Sequence, residues 1–184
     1  MTKLFVTSIL SNTPYLFLHN KLFQTSNISI LIPNYSLYYL VTHLKFASIS
    51  RAVQLIDIFA YENPVTDSFT KTTNVNTNPI IVYQFQNLFS YERFFIFVGY
   101  TNATNTAIPK SLENLYAASA WLEREVGEMS GINFESKRDL RNLMLQYGDA
   151  NAPFRKSYPS IGVKEIFYDS VVDTIVQVPT SIQI

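Results

Sequence analysis

Apolar and polar positions along this chain repeat with two periods, and the change of period divides it. Ile28, Ile30 and Ile32 recur at every second residue, which predicts a strand with one apolar face. Pro33 follows where a helix can begin, because its fixed φ suits the first helical position. Leu37, Leu40, Val41 and Leu44 then come at steps of three, one and three, a single helical stripe. Val53 to Tyr61 predicts a second strand, and Asn63, Pro64 and the polar run from Thr70 to Asn78 predict a loop. Ile80–Leu88 and Arg93–Tyr100 are rich in β-branched and aromatic residues. Four residues, Phe89 to Glu92, join them, the pattern of a β-hairpin at the centre of a sheet. Ahead of all these, Pro14 opens a predicted short helix through Phe23, with Leu16, Phe17 and Phe23 apolar at loose helical spacing.

After Pro109 the period lengthens. Ser111 is a predicted N-cap, and Leu112, Leu115, Tyr116, Leu122, Val126 and Met129 lie along one broad helical face that Gly131 stops. Ser136-Lys137-Arg138-Asp139 resembles a capping box, with Leu140, Leu143 and Met144 as a short apolar face ended by Gly148. Beyond Pro153, the residues Pro159, Gly162 and Pro179 interrupt everything except a strand-like run from Val163 to Tyr168. The order predicts an α+β fold: a two-layer domain with a mixed, largely antiparallel sheet packed by helices, then a helical arm and an extended tail. Four stretches result: an N-terminal extension (1–27), the sheet domain (28–108), a charged helical segment (109–148) and the tail (149–184).

Charge follows the same division. Residues 110 to 156 hold seven of the 14 basic and seven of the 14 acidic side chains, against six and four in residues 1 to 109. Formal net charge is zero. Free soluble proteins usually keep away from neutrality, so the balance points to life within an assembly, and the lack of a basic excess argues against a nucleic-acid partner. With 184 residues and 47% hydrophobic content, one domain has the material for a sizeable core. Cysteine is absent, which removes thiolate catalysis, Cys-ligated zinc and Cys-ligated iron–sulfur clusters from this chain. The longest uncharged run, Leu22 to Leu44, contains Gln24, Ser26, Asn27, Pro33, Asn34 and His43, too polar for a membrane span. Frequent Phe, Tyr, Ile and Asn with scarce Gly suit an AT-rich genome such as an organelle's. Met1 to Val6 lacks the Arg-rich pattern of a transit peptide, so the expectation is a protein made inside the organelle.

Candidate chemistry is thin. Glu125 and Glu128 share a helix face near Glu123, as a metal or acid–base pair would. No His or Cys stands nearby and Arg124 sits among them, so an ion-pair network is the better reading. His19 and His43 lie in apolar stretches far from these acids and read as ordinary histidines. The five glycines are too widely spaced for a phosphate loop. Arg155-Lys156 can touch an anion, although such a pair is more often a salt-bridge partner. Trp121 follows Ala117, Ala118 and Ala120 and suits a core or interface anchor. Helical residues project about 100° apart, so Glu123, Arg124 and Glu125 cannot all face solvent while Leu122, Val126 and Met129 face the core. Burial and pairing of these three charges is expected, with Arg141 or Arg155 as candidate partners.

Trp121-Leu122-Glu123-Arg124-Glu125-Val126, followed by Met129, Gly131-Ile132 and Phe134, resembles the signature of the thirty-kilodalton subunit family of respiratory complex I, called NADH dehydrogenase subunit 9 in mitochondria. Asp139-Leu140-Arg141, Tyr147-Gly148, Pro153, Arg155-Lys156 and Pro159 continue the pattern without gaps, and Asp57-Ile58 through Pro64 and the hairpin fit its earlier part. The chain departs from it at Glu128, where the family has Asp, at Ser130, at Lys137-Arg138 in place of a His-Pro pair, and at Ala152 in place of a second His. The resemblance implies a non-catalytic scaffold of the peripheral, matrix-side arm, lying against the large quinone-site subunit of the 49 kDa type. It implies no metal, flavin or cluster on this chain: NADH, FMN, iron–sulfur clusters and ubiquinone belong to other subunits. Trp121, Glu123, Arg124, Glu125, Met129, Gly131, Asp139, Arg141, Tyr147, Gly148, Arg155, Lys156 and Pro159 become the expected partner interface. The competing readings are a related membrane-bound hydrogenase-type complex, which shares the motif, and a free enzyme using Glu125 and Glu128.

Overall fold

A computed structural model describes residues 17–18, 28–47, 53–64, 77–89, 91–99, 108–149 and 151–181 of the chain. Strand β1 is Phe17–Leu18, β2 is Ile28–Ile32, β3 is Val53–Pro64, β4 is Thr77–Asn87 and β5 is Arg93–Gly99. They form one mixed sheet in the order β1-β2-β5-β4-β3. Only the β2–β5 pairing is parallel. A 3₁₀ turn over Asn34–Ser36 leads into helix α1, Leu37–Phe46. This helix buries Leu37, Leu40, Val41 and Leu44, the stripe read from the spacing. They meet the inward residues of the sheet, Ile30, Ile32, Ile81, Tyr83, Phe85, Phe94, Ile96 and Val98, in one continuous core. The α+β two-layer reading and the central hairpin therefore hold.

The edge strand β3 keeps its apolar side inward by a local irregularity. Val53 and Leu55 are buried, then the register slips between Leu55 and Asp57, after which Ile58 is buried. One extra residue re-aims the strand, as a β-bulge does, and spares it from turning its apolar side to solvent. Asn63 and Pro64, expected in a loop, instead end β3 opposite Asn78 and Thr77. Proline is tolerated there because the strand lies at a sheet edge and needs no inter-strand donor on its outer side. Phe17–Leu18 corrects the predicted helix Pro14–Phe23, of which the remainder lies outside the described residues. These two residues pair with Leu31 and Ile30, satisfying the edge of β2.

The charged segment contains one described helix, α2, over Ser119–Ser130. The helix expected from Ser111 starts eight residues later: the Ser111 hydroxyl accepts the Glu113 N–H at 3.2 Å and donates to Glu123, and a single turn over 113–115 stands in place of the first helical turns. Lys45 reaches across from α1 to donate to the Leu115 carbonyl, and the Tyr116 hydroxyl donates to the Val53 carbonyl at 3.1 Å, so this turn is tied to both layers. Leu112, Leu115, Val126, Ile132 and Phe134 join the same core as the sheet. Among the described residues no helix follows Ser136. That residue has φ +61°, and the next stretch is turns and bends. The tail is a second sheet of two strands, β6 (Lys164–Asp169) and β7 (Thr174–Pro179), antiparallel and unhelical. The run Thr174, Ile175, Val176 was the overlooked signal for β7.

Core dependence on α1 has a direct check. Leu40→Ala should cost about 2–5 kcal/mol in urea unfolding, while Tyr39→Ala, next to it but exposed, should stay within about 0.5 kcal/mol.

Candidate functional site

Helix α2 buries Ser119, Glu123, Val126 and Ser130, a stripe at steps of four, three and four that includes one carboxylate. Glu123 is fully buried. Its Oε1 accepts the Leu112 backbone N–H at 2.8 Å. Its Oε2 accepts the Ser111 hydroxyl at 2.7 Å and the Lys137 ammonium at 3.2 Å. The Lys137 side chain, 2% exposed, also donates to the Ala120 carbonyl at 2.9 Å. Two charges removed from water are tolerable only when each is paired and hydrogen-bonded: Glu123 accepts three bonds, and the Lys137 ammonium makes two. Tyr83 lies close enough to sense it: burial, and then the Glu123 charge, push its phenol well above the ordinary range. Its hydroxyl is buried with no hydrogen-bond partner.

The other charges of α2 organise the loop that follows. Arg124 donates from Nε to the Arg141 carbonyl at 2.9 Å and from Nη2 to the Asn142 carbonyl at 3.2 Å, and it stands 5.1 Å over the Trp121 ring. Its Nη1 lies 3.5 Å from Asp139, which accepts a forked bond from Arg141 with closest approach 2.8 Å. Hydrogen bonds from the Arg141 side chain, then from its backbone, with the Arg124 charge besides, hold the Asp139 carboxyl well below the usual carboxylate range. Glu128 accepts the Leu143 and Met144 backbone N–H groups, each at 2.6 Å. A helix over this stretch would need those carbonyls and N–H groups for itself. Capture by Arg124 and Glu128 is the physical reason it stays irregular.

The C-terminal end of α2 is closed just as fully. Gly131 takes the left-handed conformation, φ +67°, and its N–H bonds the Gly127 carbonyl. Phe154 N–H bonds the Met129 carbonyl at 2.9 Å, and Arg155 donates to the Ser130 and Gly131 carbonyls at 3.0 and 2.7 Å. A cation there also suits the negative end of the helix dipole. The positive φ favours glycine there, and a Cβ on Gly131 would stand 2.2 Å from Arg155 Nη2 and displace the guanidinium from its place.

Among the residues singled out from sequence, the structure joins Glu123, Arg124, Gly131, Asp139, Arg141 and Arg155 into this shell around α2. Pairing of Glu123 is found, but with Lys137 rather than Arg141 or Arg155. Glu125 is exposed and forms no ion pair among the described residues. Trp121, Tyr147, Gly148, Lys156 and Pro159 are exposed, and Met129 is half-buried. Ser111, Tyr83 and Lys137 were missed as members; the family-atypical Lys137 was the one available signal. His43 sits in the last turn of α1, away from the acids, and His19 lies outside the described residues. Among the described residues no helix is long and apolar enough to cross a membrane, and no three His, Asp or Glu side chains gather as a metal site.

Known proteins resemble this chain along most of its length. The sequence profile described as "Respiratory-chain NADH dehydrogenase, 30 Kd subunit" matches residues 30–164. NADH-ubiquinone oxidoreductase subunit 9 of Acanthamoeba castellanii is 31% identical over 85% of this chain and 73% of its own length. The protein of that name from Dictyostelium citrinum is 27% identical over 86% and 72%. A chain of an archaeal respiratory membrane complex, the membrane-bound sulfane sulfur reductase, shares the fold with TM-score 0.67 at 15% identity, covering 87% of this chain and 86% of that one. The trypsin-resistant fragment of Nqo5 superposes with TM-score 0.52 at 20% identity, covering 76% of this chain and all of the fragment.

Two outcomes follow from the charge network. Lys137→Met should destabilise the chain by about 3–5 kcal/mol, because Glu123 is left charged and buried. Adding Glu123→Gln should recover much of that loss in the same urea titration. For Asp139, whose folded pKa is depressed, the stabilisation is present above the ordinary carboxylate pKa and is lost as pH falls through the folded value. The stability gap between the chain and its Asp139→Asn variant should accordingly be constant near neutrality and close in strong acid, as read by thermal unfolding against pH.

Proposed function

The chain belongs to the family of thirty-kilodalton subunits of respiratory-chain NADH dehydrogenase, and on that premise we propose that it is a non-catalytic scaffold of the peripheral arm of NADH:ubiquinone oxidoreductase. It would support electron transfer from NADH to ubiquinone by holding other subunits in place, chiefly the large quinone-site subunit of the 49 kDa type. Flavin, iron–sulfur clusters and quinone would be held by those neighbours and none by this chain. The place of work would be the matrix side of the mitochondrial inner membrane, in keeping with relatives named subunit 9, and the composition suits a gene carried by the organelle.

One observation carries the scaffold reading. The β6–β7 hairpin presents Ile166, Tyr168 and Ile175 on a single face, at 68%, 60% and 75% exposure. Side chains alternate across a strand, and Tyr168 pairs directly with Ile175, so the three form one apolar patch. Large apolar side chains gathered this way on a surface mark a contact with another protein. The signature carboxylates, meanwhile, do structural work: Glu123 is buried in its ion pair, and Glu128, one of the two acids a free enzyme would use, is bonded to backbone.

Native electrophoresis of affinity-tagged chain tests this. The unmodified chain should migrate in a very large complex containing NADH dehydrogenase activity. Ile166→Asp with Ile175→Asp should release it from that complex while its far-UV circular dichroism stays unchanged. Migration of the unmodified chain alone, as a free enzyme working through Glu125 would do, sinks the proposal; co-migration with hydrogenase subunits instead of NADH dehydrogenase assigns it to the related complex.

A further inference from the structure

A cavity of about 500 Å³ opens beside the end of α2, with Gly131, Asn151, Arg155, Ser157, Tyr158 and Val163 among its lining residues. The Arg155 guanidinium packs over Gly131 and forms part of this wall. Its Nε and Nη2 are occupied by the Ser130 and Gly131 carbonyls, which fix the plane of the group. They do not neutralise its charge. Among the described residues no carboxylate pairs with Arg155, and no acid lines the cavity. Asp149, two residues before Asn151, is bonded to the Asn151 backbone and side chain and lines a neighbouring cavity instead. Among the described residues Arg155 therefore has no ion-pair partner within its own chain.

The surroundings say what completes it. From Asn151 to Lys164 the chain carries Arg155, Lys156 and Lys164 and no acidic residue of its own; Glu62 of β3 reaches the segment, where it accepts the Lys156 backbone N–H at 2.8 Å and makes no ion pair with Arg155. Lys156 is exposed, and the apolar side chains of Phe154 and Ile161 are exposed on either side of it in sequence, at 66% and 59%. A free small anion would have no use for such apolar neighbours. A protein surface would, and a planar guanidinium held in one orientation is suited to a forked bond with a carboxylate. We infer that this cavity receives an Asp or Glu side chain of a partner protein, seated on Arg155, with Phe154 and Ile161 making the apolar contacts around it. The inference rests on the scaffold reading and names the chemistry of one of its contacts.

Two measurements on the intact complex and the full chain test it. Zero-length carbodiimide coupling of the purified complex, read by peptide mass spectrometry, should join Lys156 to an Asp or Glu of another subunit. Ser157→Asp places an acid in the cavity without touching the Arg155 bonds to α2. The variant should keep or raise the thermal midpoint of the isolated chain. Its recovery in the assembled complex should fall on the order of tenfold or more, as expected when a desolvated charge contact is blocked. Ser157→Asn, similar in size and uncharged, should assemble normally. Coupling of Lys156 only to acids of its own chain, or normal assembly of Ser157→Asp, overturns the inference and leaves the scaffold reading standing. Absence of the unmodified chain from any large complex overturns the scaffold reading itself. A rise in the isolated chain's thermal midpoint with succinate, abolished in Ser157→Asp, would assign the cavity to a soluble carboxylate and also overturn the partner contact.

Discussion

The ion pair between Glu123 and Lys137 is the constraint on which the second half of this chain is arranged. A carboxylate buried at 0% exposure beneath a helix is intolerable unless its lone pairs are filled. Filling them draws in two separate pieces of chain: Ser111 and Leu112 from before the helix, and Lys137 from after it. With those contacts made, residues 109–111 and 135 come side by side and exchange backbone bonds, Ser111 N–H to the Glu135 carbonyl and Glu135 N–H to the Pro109 carbonyl. The hydrophobic residues between them, Leu112, Leu115, Ile132 and Phe134, are thereby placed on the sheet core. A polar contact thus sets the path of the chain, and apolar burial supplies the driving force once that path is taken.

Polar side chains govern the surface of α2 in the same way. Groups that would ordinarily be solvated hold irregular backbone: Arg124 takes two carbonyls, Glu128 two N–H groups, and Arg155 two more carbonyls at the helix end. A loop held by fixed side-chain bonds can display large apolar residues without collapsing onto its own domain. Leu140, Met144 and Tyr147 are displayed in this way, and Trp121 beside them under Arg124. Trp, Tyr, Met and Arg are the residue types enriched at protein interfaces, and this composition accords with a subunit whose surface is completed by neighbours.

The signature residues of the family divide into two kinds here. Glu123, Gly131 and Arg155 build the shell around α2, whereas Trp121, Tyr147, Lys156 and Pro159 remain on the outside. The first kind are tied together in space: the Arg155 guanidinium lies where a Cβ on Gly131 would stand. The exchange of a family His-Pro pair for Lys137-Arg138 also becomes intelligible, since Lys137 supplies the cation that meets Glu123.

Periodicity by itself determined the strand Ile28–Ile32, the buried stripe of α1, the Ile80–Tyr100 hairpin and the stop at Gly131, because in each the partner surface is the local repeat or a near neighbour. The ordered signature from Trp121 to Pro159 likewise carried the family resemblance without coordinates. Tertiary structure alone decided the rest. The start of α2 at Ser119 and the loss of the expected helix after Ser136 follow from side chains competing for backbone groups far along the sequence. Lys137 and Glu123 stand 14 residues apart, on opposite sides of the helix end at Gly131, so the period of no single element relates them. Which of several nearby cations meets a buried carboxylate depends on how the intervening chain closes. The strand at Phe17–Leu18 has the same origin: an open edge of β2 recruits whatever segment reaches it, and local propensity cannot tell which one does.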